Sequence, residues 1–234
     1  MAYFVVLRIH RGKMDDLRNR VIAPWSDSSS GAAVDYVETP VDFVELKRVN
    51  PDVYAWLNIP DTVIDYPILR REEDNAYYLN HIVTGETGRY GCIFTETYNS
   101  ADFSDFNTII YGHNTVDGTM FGTLWKYKNK SFLADHKRIN IYMPGRIMTY
   151  EVFAAYVWDD RHILYAYDFS NRDERIAYLD MIANMRGMSS YYDGSLAVTE
   201  EDKIITLSTC TATGNNRYLV HGVLIYDSQG NFTR

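Results

Sequence analysis

Cysteine is nearly absent: the 234-residue chain has two, Cys92 and Cys210, far apart and in no Cys-x-x-Cys arrangement. That scarcity argues against a thiolate metal site or a dithiol redox motif, both of which need clustered sulfur. It leaves open a single Cys92–Cys210 disulfide, a small buried apolar residue, or a lone nucleophile. Long apolar runs are also missing. The longest near the N-terminus, Ala2 to Leu7, falls far short of the roughly 18 residues a membrane-spanning helix needs. No secretory h-region with a small-residue cleavage site is present, so the chain reads as soluble, either cytosolic or a form whose export segment is missing. Positive charge is in deficit, with 23 Lys and Arg against 31 Asp and Glu and a formal net charge of −8. A general nucleic-acid binder is therefore not expected, because phosphate contacts need clustered cations.

Aromatic residues are abundant. Twenty Tyr and ten Phe beside only six Pro predict a strand-rich interior, all-β or α+β, since aromatic rings suit a pleated, half-buried surface. Strand-like segments run over Thr62 to Leu69, Gly91 to Thr95, Thr108 to Tyr111, Arg138 to Met143, Ile147 to Val157, Lys203 to Thr209 and Tyr218 to Tyr226. Pro144-Gly145 predicts a hairpin between two of them. Helices are expected over about 13–23, with no large apolar stripe, and from Val41 to Arg48, ended by Asn50-Pro51 and followed by a short turn over Asp52 to Leu57. A long helix over about 171–186 is marked by Ser170 and Asp173 as a capping box, by Tyr178, Met181, Ile182 and Met185 on one face, and by Gly187 as its stop. The small polar run 26–33 divides an N-terminal segment, 1–35, from a main domain, 36–234. Arg8, Arg11, Lys13, Arg18 and Arg20 form either a solvated helix face or a juxtamembrane flank.

Three residues stand where chemistry is convenient. Cys210 closes the run Ile204-Ile-Thr-Leu-Ser-Thr-Cys210 and meets a polar stretch that cannot continue a strand. A strand end beside a loop exposes a thiol while the sheet fixes its direction; a buried structural cysteine fits the same position. His113 likewise leaves the strand Asn107-Thr-Ile-Ile-Tyr111 for a loop, and an imidazole can exchange a proton with an adjacent thiol. Arg217 opens the last strand seven residues after Cys210, where a hairpin returns it beside the thiol. A guanidinium cannot act as a base, so its role there is to donate hydrogen bonds to developing negative charge, worth roughly 2.7–4 kcal/mol for oxyanion donors. His221 reads as a satisfied mid-strand residue; His10, His81, His136 and His162 have no paired loop context, and no two histidines show metal-ligand spacing.

Together Thr206-Leu-Ser-Thr-Cys210 with Arg217 downstream, and Asn107-Thr-Ile-Ile-Tyr-Gly-His113-Asn upstream, resemble the sortase family. The likeness extends through Val53-Tyr-Ala-Trp-Leu-Asn-Ile-Pro60, Ile64-Asp-Tyr-Pro-Ile68 and Tyr77-Tyr-Leu-Asn-His81, pieces similar to class B sortases in particular, and covers roughly residues 40–227. The resemblance implies an eight-stranded β-barrel with N-terminal helices and a long helix between the late strands, so that 36–234 is the catalytic domain. It implies a catalytic Cys210, His113 and Arg217. The thiolate attacks the Thr carbonyl of a C-terminal sorting pentapeptide on a secreted protein, His113 protonates the leaving amine, and a peptidoglycan amine resolves the thioester. If the thiol stays about two pKa units more basic than the imidazole, only about one enzyme in a hundred holds both in the reactive form, so slow turnover is expected.

The motif fixes no acidic partner for His113. Leu79, Leu164, Tyr165 and Ser208 are candidates for the substrate groove, each equally compatible with a core position. No cofactor is implied, and no acidic cluster supports a calcium site. The family normally carries an N-terminal membrane anchor, which this chain lacks; with an anchor removed, residues 8–20 would sit next to the bilayer, on the extracellular face of a Gram-positive membrane. Ala23-Pro24-Trp25 lacks the acid of the Asp-Pro-aromatic lid found in pilus-building relatives. Cargo proteins for haem acquisition or adhesion fit this reading. A peptidase that only hydrolyses the motif, and a non-catalytic binding module on the same fold, remain as alternatives.

Overall fold

A computed structural model of the protein describes residues 2–22, 37–212, 214–230 and 232–233. The strands are β1 (Val53–Asn58), β2 (Asp65–Leu69), β3 (Ile93–Phe94), β4 (Asn107–Tyr111), β5 (Arg138–Met143), β6 (Arg146–Trp158), β7 (Tyr191–Tyr192), β8 (Ile204–Cys210), β9 (Arg217–Asp227) and β10 (Phe232–Thr233). Eight pair in the order β9-β8-β4-β3-β2-β1-β5-β6, and β6 pairs with β9 to close the ring, with β7 and β10 appended to β6 and β9. Closure leaves no free edge in the ring, which is how a barrel avoids presenting unpaired backbone to other chains. The β2–β3 and β4–β8 pairs are parallel and the rest antiparallel. Parallel neighbours need a long connection, and the crossovers here carry the loops that shape the site.

The expected eight-stranded barrel is what forms, and the β5–β6 hairpin turns at Pro144-Gly145 with Met143 opposite Arg146 and Gly145 at φ 69°. The turn expected over Asp52 to Leu57 is instead strand β1. The Asn50-Pro51 turn signal is real but local, with Asn50 Oδ1 accepting from Asp52 N at 2.9 Å. From Val53 on, burial of Val53, Ala55, Trp56 and Leu57 and pairing to both β2 and β5 override it. Helix α1 (Ala2–Val21) is longer than expected and does carry an apolar stripe, Met14, Leu17 and Val21, buried against the barrel. Lys13, Arg18 and Arg20 from its basic run pair with Glu86, Asp65 and Glu45. The run 26–33 and Ala23-Pro24-Trp25 lie outside the described residues. Helix α2 (Phe43–Val49) is capped by Asp42. Two short helices, α3 (Lys130–Asp135) and α4 (Ile163–Ala166), had no sequence signal, and α5 (Arg172–Asn184) is capped by Asn171, whose Oδ1 accepts from Asp173 N, not by Ser170.

Alternate residues of β4, β8 and β9 enter two separate apolar clusters. Ile110, Ile205 and Val220 join the larger one, while Ile109, Ile204 and Val223 pack with Tyr178 and Ile182 of α5. These strands are therefore covered on both faces, which is why they read as near-continuous apolar runs. Under α5 the face carries a fully buried polar chain. Thr206 Oγ1 donates to Asn107 Oδ1 at 2.8 Å, so it accepts from His221 Nδ1–H at 2.9 Å, and His221 Nε2 accepts from the Tyr156 hydroxyl at 3.0 Å. His221 is thus the satisfied strand residue expected from sequence. Burial holds its pKa down to about 3.

A histidine kept neutral by folding makes stability depend on pH, because below its ordinary pKa the unfolded chain binds a proton that the native one refuses. The His221 contribution is complete above about pH 6.5 and declines as pH falls from there toward 3. The midpoint of urea unfolding is expected to fall steadily from pH 7 to 4.5 and to fall less over that interval in His221→Gln; parallel profiles would assign the acid sensitivity to other groups.

Candidate active site

Strand register builds the site. Tyr111 lies opposite Ser208 in the parallel β4–β8 pair, and Gly112 N donates to Ser208 O at 3.1 Å, so the ladder runs one residue past β4. The next residue, His113, then falls beside Cys210 on a strand about 4.8 Å away. On the other flank Cys210 pairs with Arg217 and Ser208 with Leu219. Residues two apart share a strand face, so two rows form: Tyr111, Ser208 and Leu219, then His113, Cys210 and Arg217 at the strand ends. All six line one cleft of about 280 Å³. The three residues expected to do chemistry therefore stand on three adjacent strands at one level.

His113 is oriented by a backbone carbonyl. Its Nε2 lies 2.7 Å from Leu79 O. A carbonyl only accepts, so Nε2 carries the proton and the lone pair of the neutral ring is on Nδ1. Leu79 ends the single helical turn Tyr77–Leu79, which is tied down by Cys92 N donating to Tyr78 O at 2.9 Å. Gly91 lies directly beneath, at φ +50°, where an added Cβ would come within 2.1 Å of Tyr78 O and 2.7 Å of Leu79 O. Only glycine permits that approach. Gly112 is similarly confined, by Ile93 and Phe121.

Both cysteines are free thiols. Cys92 is buried, which pushes its thiol well above the ordinary range and makes it inert, whereas Cys210 is partly exposed at the cleft. Arg217 Nη1 lies 3.4 Å from Asn216 O, and among the described residues its guanidinium forms no salt bridge.

The cleft wall is apolar through Phe94, Trp158, Ile163 and Leu219, and Leu79 and Ser208 also line it. Leu164 and Tyr165 do not; they line an adjoining hollow. A second cleft, of about 590 Å³, opens on the far side and shares His113, Thr209 and Cys210 with the first. His113, Thr209 and Cys210 thus form a septum between two hollows. Sequence reasoning missed Glu96 and His162, which meet in the first cleft with His162 Nε2 2.6 Å from Glu96 Oε2. They lie 66 residues apart on loops after β3 and β6, so no local pattern announced them. Burial and then the Glu96 carboxylate push the Tyr111 hydroxyl up, keeping it protonated as a donor to that carboxylate. Among the described residues no group of three or more His, Cys, Asp and Glu is placed to hold a metal ion.

Comparison with known proteins identifies the family to which this fold belongs. A family model described as a sortase domain matches residues 57–225. Sortase B of Listeria monocytogenes is 37% identical over 184 residues, covering 77% of this chain and 73% of that protein. The crystal structure of sortase B from Bacillus anthracis in complex with AAEK1 superposes with a TM-score of 0.77 at 30% identity, covering 94% of this chain and 98% of that one. A Staphylococcus aureus sortase B–substrate complex superposes with a TM-score of 0.70 at 31% identity, covering 78% and 84%.

The difference between the two thiols is directly measurable. Iodoacetamide applied to the native protein is expected to label Cys210 and spare Cys92 until denaturant is added, as read by peptide mass; equal labelling would mean that Cys92 is not sealed. Gly91→Ala is expected to lower thermal stability and slow Cys210-dependent chemistry together, because the new methyl displaces the turn that carries the Leu79 carbonyl.

Proposed function

The chain belongs to the sortase family and is most like sortase B, and from that premise we propose that it is a cysteine transpeptidase working through Cys210, His113 and Arg217. Its substrate is a secreted protein with a C-terminal sorting pentapeptide. The acceptor is an amine of peptidoglycan or its precursor, and the place of action is the extracellular face of a Gram-positive cell membrane. Among the described residues no helix is long and apolar enough to cross a membrane. The alignment of the three residues across β4, β8 and β9 carries the proposal.

The chemistry follows from that row. Cys210 Sγ, as thiolate, attacks the carbonyl carbon of the motif's Thr, and the carbonyl electrons move onto oxygen. The Arg217 guanidinium donates hydrogen bonds to that oxyanion, the kind of contact whose removal costs about 10²–10³ in kcat. Collapse expels the amine, which takes its proton from His113, leaving a thioester. An incoming amine then attacks the same carbon, gives its proton back to His113, and expels Cys210 as thiolate. By microscopic reversibility the leaving and entering amines approach from the same side. Two clefts meeting at Cys210 and His113 support this division, with the acyl segment in the first and the amine in the second. The carbonyl that orients His113 supports its role without an acidic third partner.

The test uses fluorogenic peptides of the Asn-Pro-x-Thr-Asn and Leu-Pro-x-Thr-Gly types, with and without an amine acceptor. Cleavage is expected for one type, with an amine adduct visible by mass; Cys210→Ala and His113→Ala abolish it, and Arg217→Ala lowers kcat about 10²–10³-fold. Free acid as the sole product under saturating amine would make the protein a hydrolase. No cleavage together with an inert Cys210 would make it a binding module.

A further inference from the structure

The outer rim of the second cleft is apolar where it meets solvent. Val116 and Met188 are 89% and 103% exposed, and Trp125 and Val157 are 47% and 41% exposed. Val116, Trp125 and Val157 line the cleft, and Met188 precedes Ser189, which lines it too. A single exposed apolar side chain is ordinary. Four on separate segments around one opening form the kind of patch that marks an interaction surface, and the chemistry above uses none of them.

The charge around this patch indicates its partner. Residues 118–134 hold three Lys and no Asp or Glu, in a chain whose formal net charge is −8. The segment folds as a 3-10 helix, Leu124–Lys128, followed by α3. Three residues per turn stack positions i and i+3, so Leu124 and Tyr127 go inward and are buried, while Trp125 and Lys128 share the outer side. The Lys128 ammonium lies 4.8 Å from the centre of the Trp125 ring, and the Lys126 ammonium 5.7 Å from that of Phe132. Among the described residues that line the cleft, Lys128 is the one Lys, Arg, Asp or Glu. Asp117, next to Val116, is engaged by Thr119 through its N–H and hydroxyl and lines the hollow against α1 instead.

A tryptophan flanked by lysines, beside exposed aliphatic tips, is the composition that suits a membrane–water interface. The indole sits at headgroup level, the lysine stems lie along apolar surface, and the ammonium groups reach anionic headgroups. We propose that the rim of the second cleft, through Val116, Trp125, Met188, Lys126 and Lys128, docks on an anionic phospholipid surface, so that the cleft opens onto the bilayer. Each Lys near such a surface contributes on the order of fivefold in affinity. The net charge of −8 opposes approach by the rest of the molecule, so charge selects this face. Docking would present the cleft to acceptors carried at the membrane, a consequence that rests on the transpeptidase reading; the contact itself does not.

Vesicle binding by Cys210→Ala separates this inference from catalysis. Vesicles of phosphatidylcholine alone, and of phosphatidylcholine with an equal amount of phosphatidylglycerol, are mixed with that protein at low salt, and bound protein is read by co-flotation. Binding is expected to the mixed vesicles only, and to decline as salt is added. In the same background Lys126→Glu/Lys128→Glu is expected to lower affinity by at least about 25-fold. Lys47→Glu/Arg48→Glu on α2 makes the same change of net charge and is expected to leave affinity within about twofold. Val116→Ser/Met188→Ser, at positions open to solvent, is expected to weaken binding several-fold. Equal losses from the two charge-reversed pairs would overturn the proposal in favour of net charge, and absent binding, or equal binding to both vesicle types, would overturn it outright. Vesicles ignored while Lys128→Glu lowers amine-adduct formation by the active protein would give the lysine to the soluble acceptor instead. Vesicle binding beside absent peptide cleavage by the unmodified protein would sustain the surface and overturn the transpeptidase reading. Unfolding midpoints of the variants, expected to agree closely with that of Cys210→Ala, verify that the fold is intact.

Discussion

The parallel pairing of β4 with β8 is the constraint on which the site depends. An antiparallel partner would put the C-terminal ends of the two strands at opposite rims; a parallel one lets both strands end at the same rim. His113 and Cys210 therefore emerge together although 97 residues separate them in the chain, and the antiparallel β8–β9 pair returns Arg217 to the same level. A register slip of one residue in either pair would turn an entire strand's side chains to the opposite face. Both faces here are buried by different partners, so such a slip would be incompatible with either cluster.

The support beneath the rim is rigid for identifiable reasons. Barrel closure pairs each of β4, β8 and β9 on both sides, and α5 seals the face on which the row of His113, Cys210 and Arg217 lies. One row below the cleft floor, His221 and Thr206 belong to a dry hydrogen-bonded chain in which the donor and acceptor roles of the histidine are settled by its partners. Such a network favours one arrangement of the strands, because any other leaves a buried polar group unpaired. The character of this one sheet face thus changes with depth, from sealed and neutral under α5 to open and solvent-accessible at the rim.

Two glycines and a carbonyl shape the surroundings of His113. His113 takes its orientation from Leu79, whose turn can sit where it does because Gly91 has no side chain. The arrangement places a neutral acceptor behind the imidazole.

Much of this was legible in the residues themselves. The seven strand segments read from alternation and apolar runs all exist, the turn formers Pro144-Gly145 and the helix face of Tyr178 and Ile182 stand where their chemistry demands, and Cys210, His113 and Arg217 occupy the strand ends that their neighbours foretold. Strand β1 was hidden by the turn signal of Asn50-Pro51, because its pairing to β2 and β5 is non-local; the stripe on α1 was missed because three apolar residues suffice when a barrel wall receives them. The linkage of Glu96 to His162, the carbonyl behind His113 and the division of the rim into two clefts were decided only by tertiary structure. Local sequence determines which backbone conformation and which face each side chain takes, since those depend on neighbours a few residues away. Which loops then meet depends on barrel closure, a condition on the whole chain that no segment carries alone.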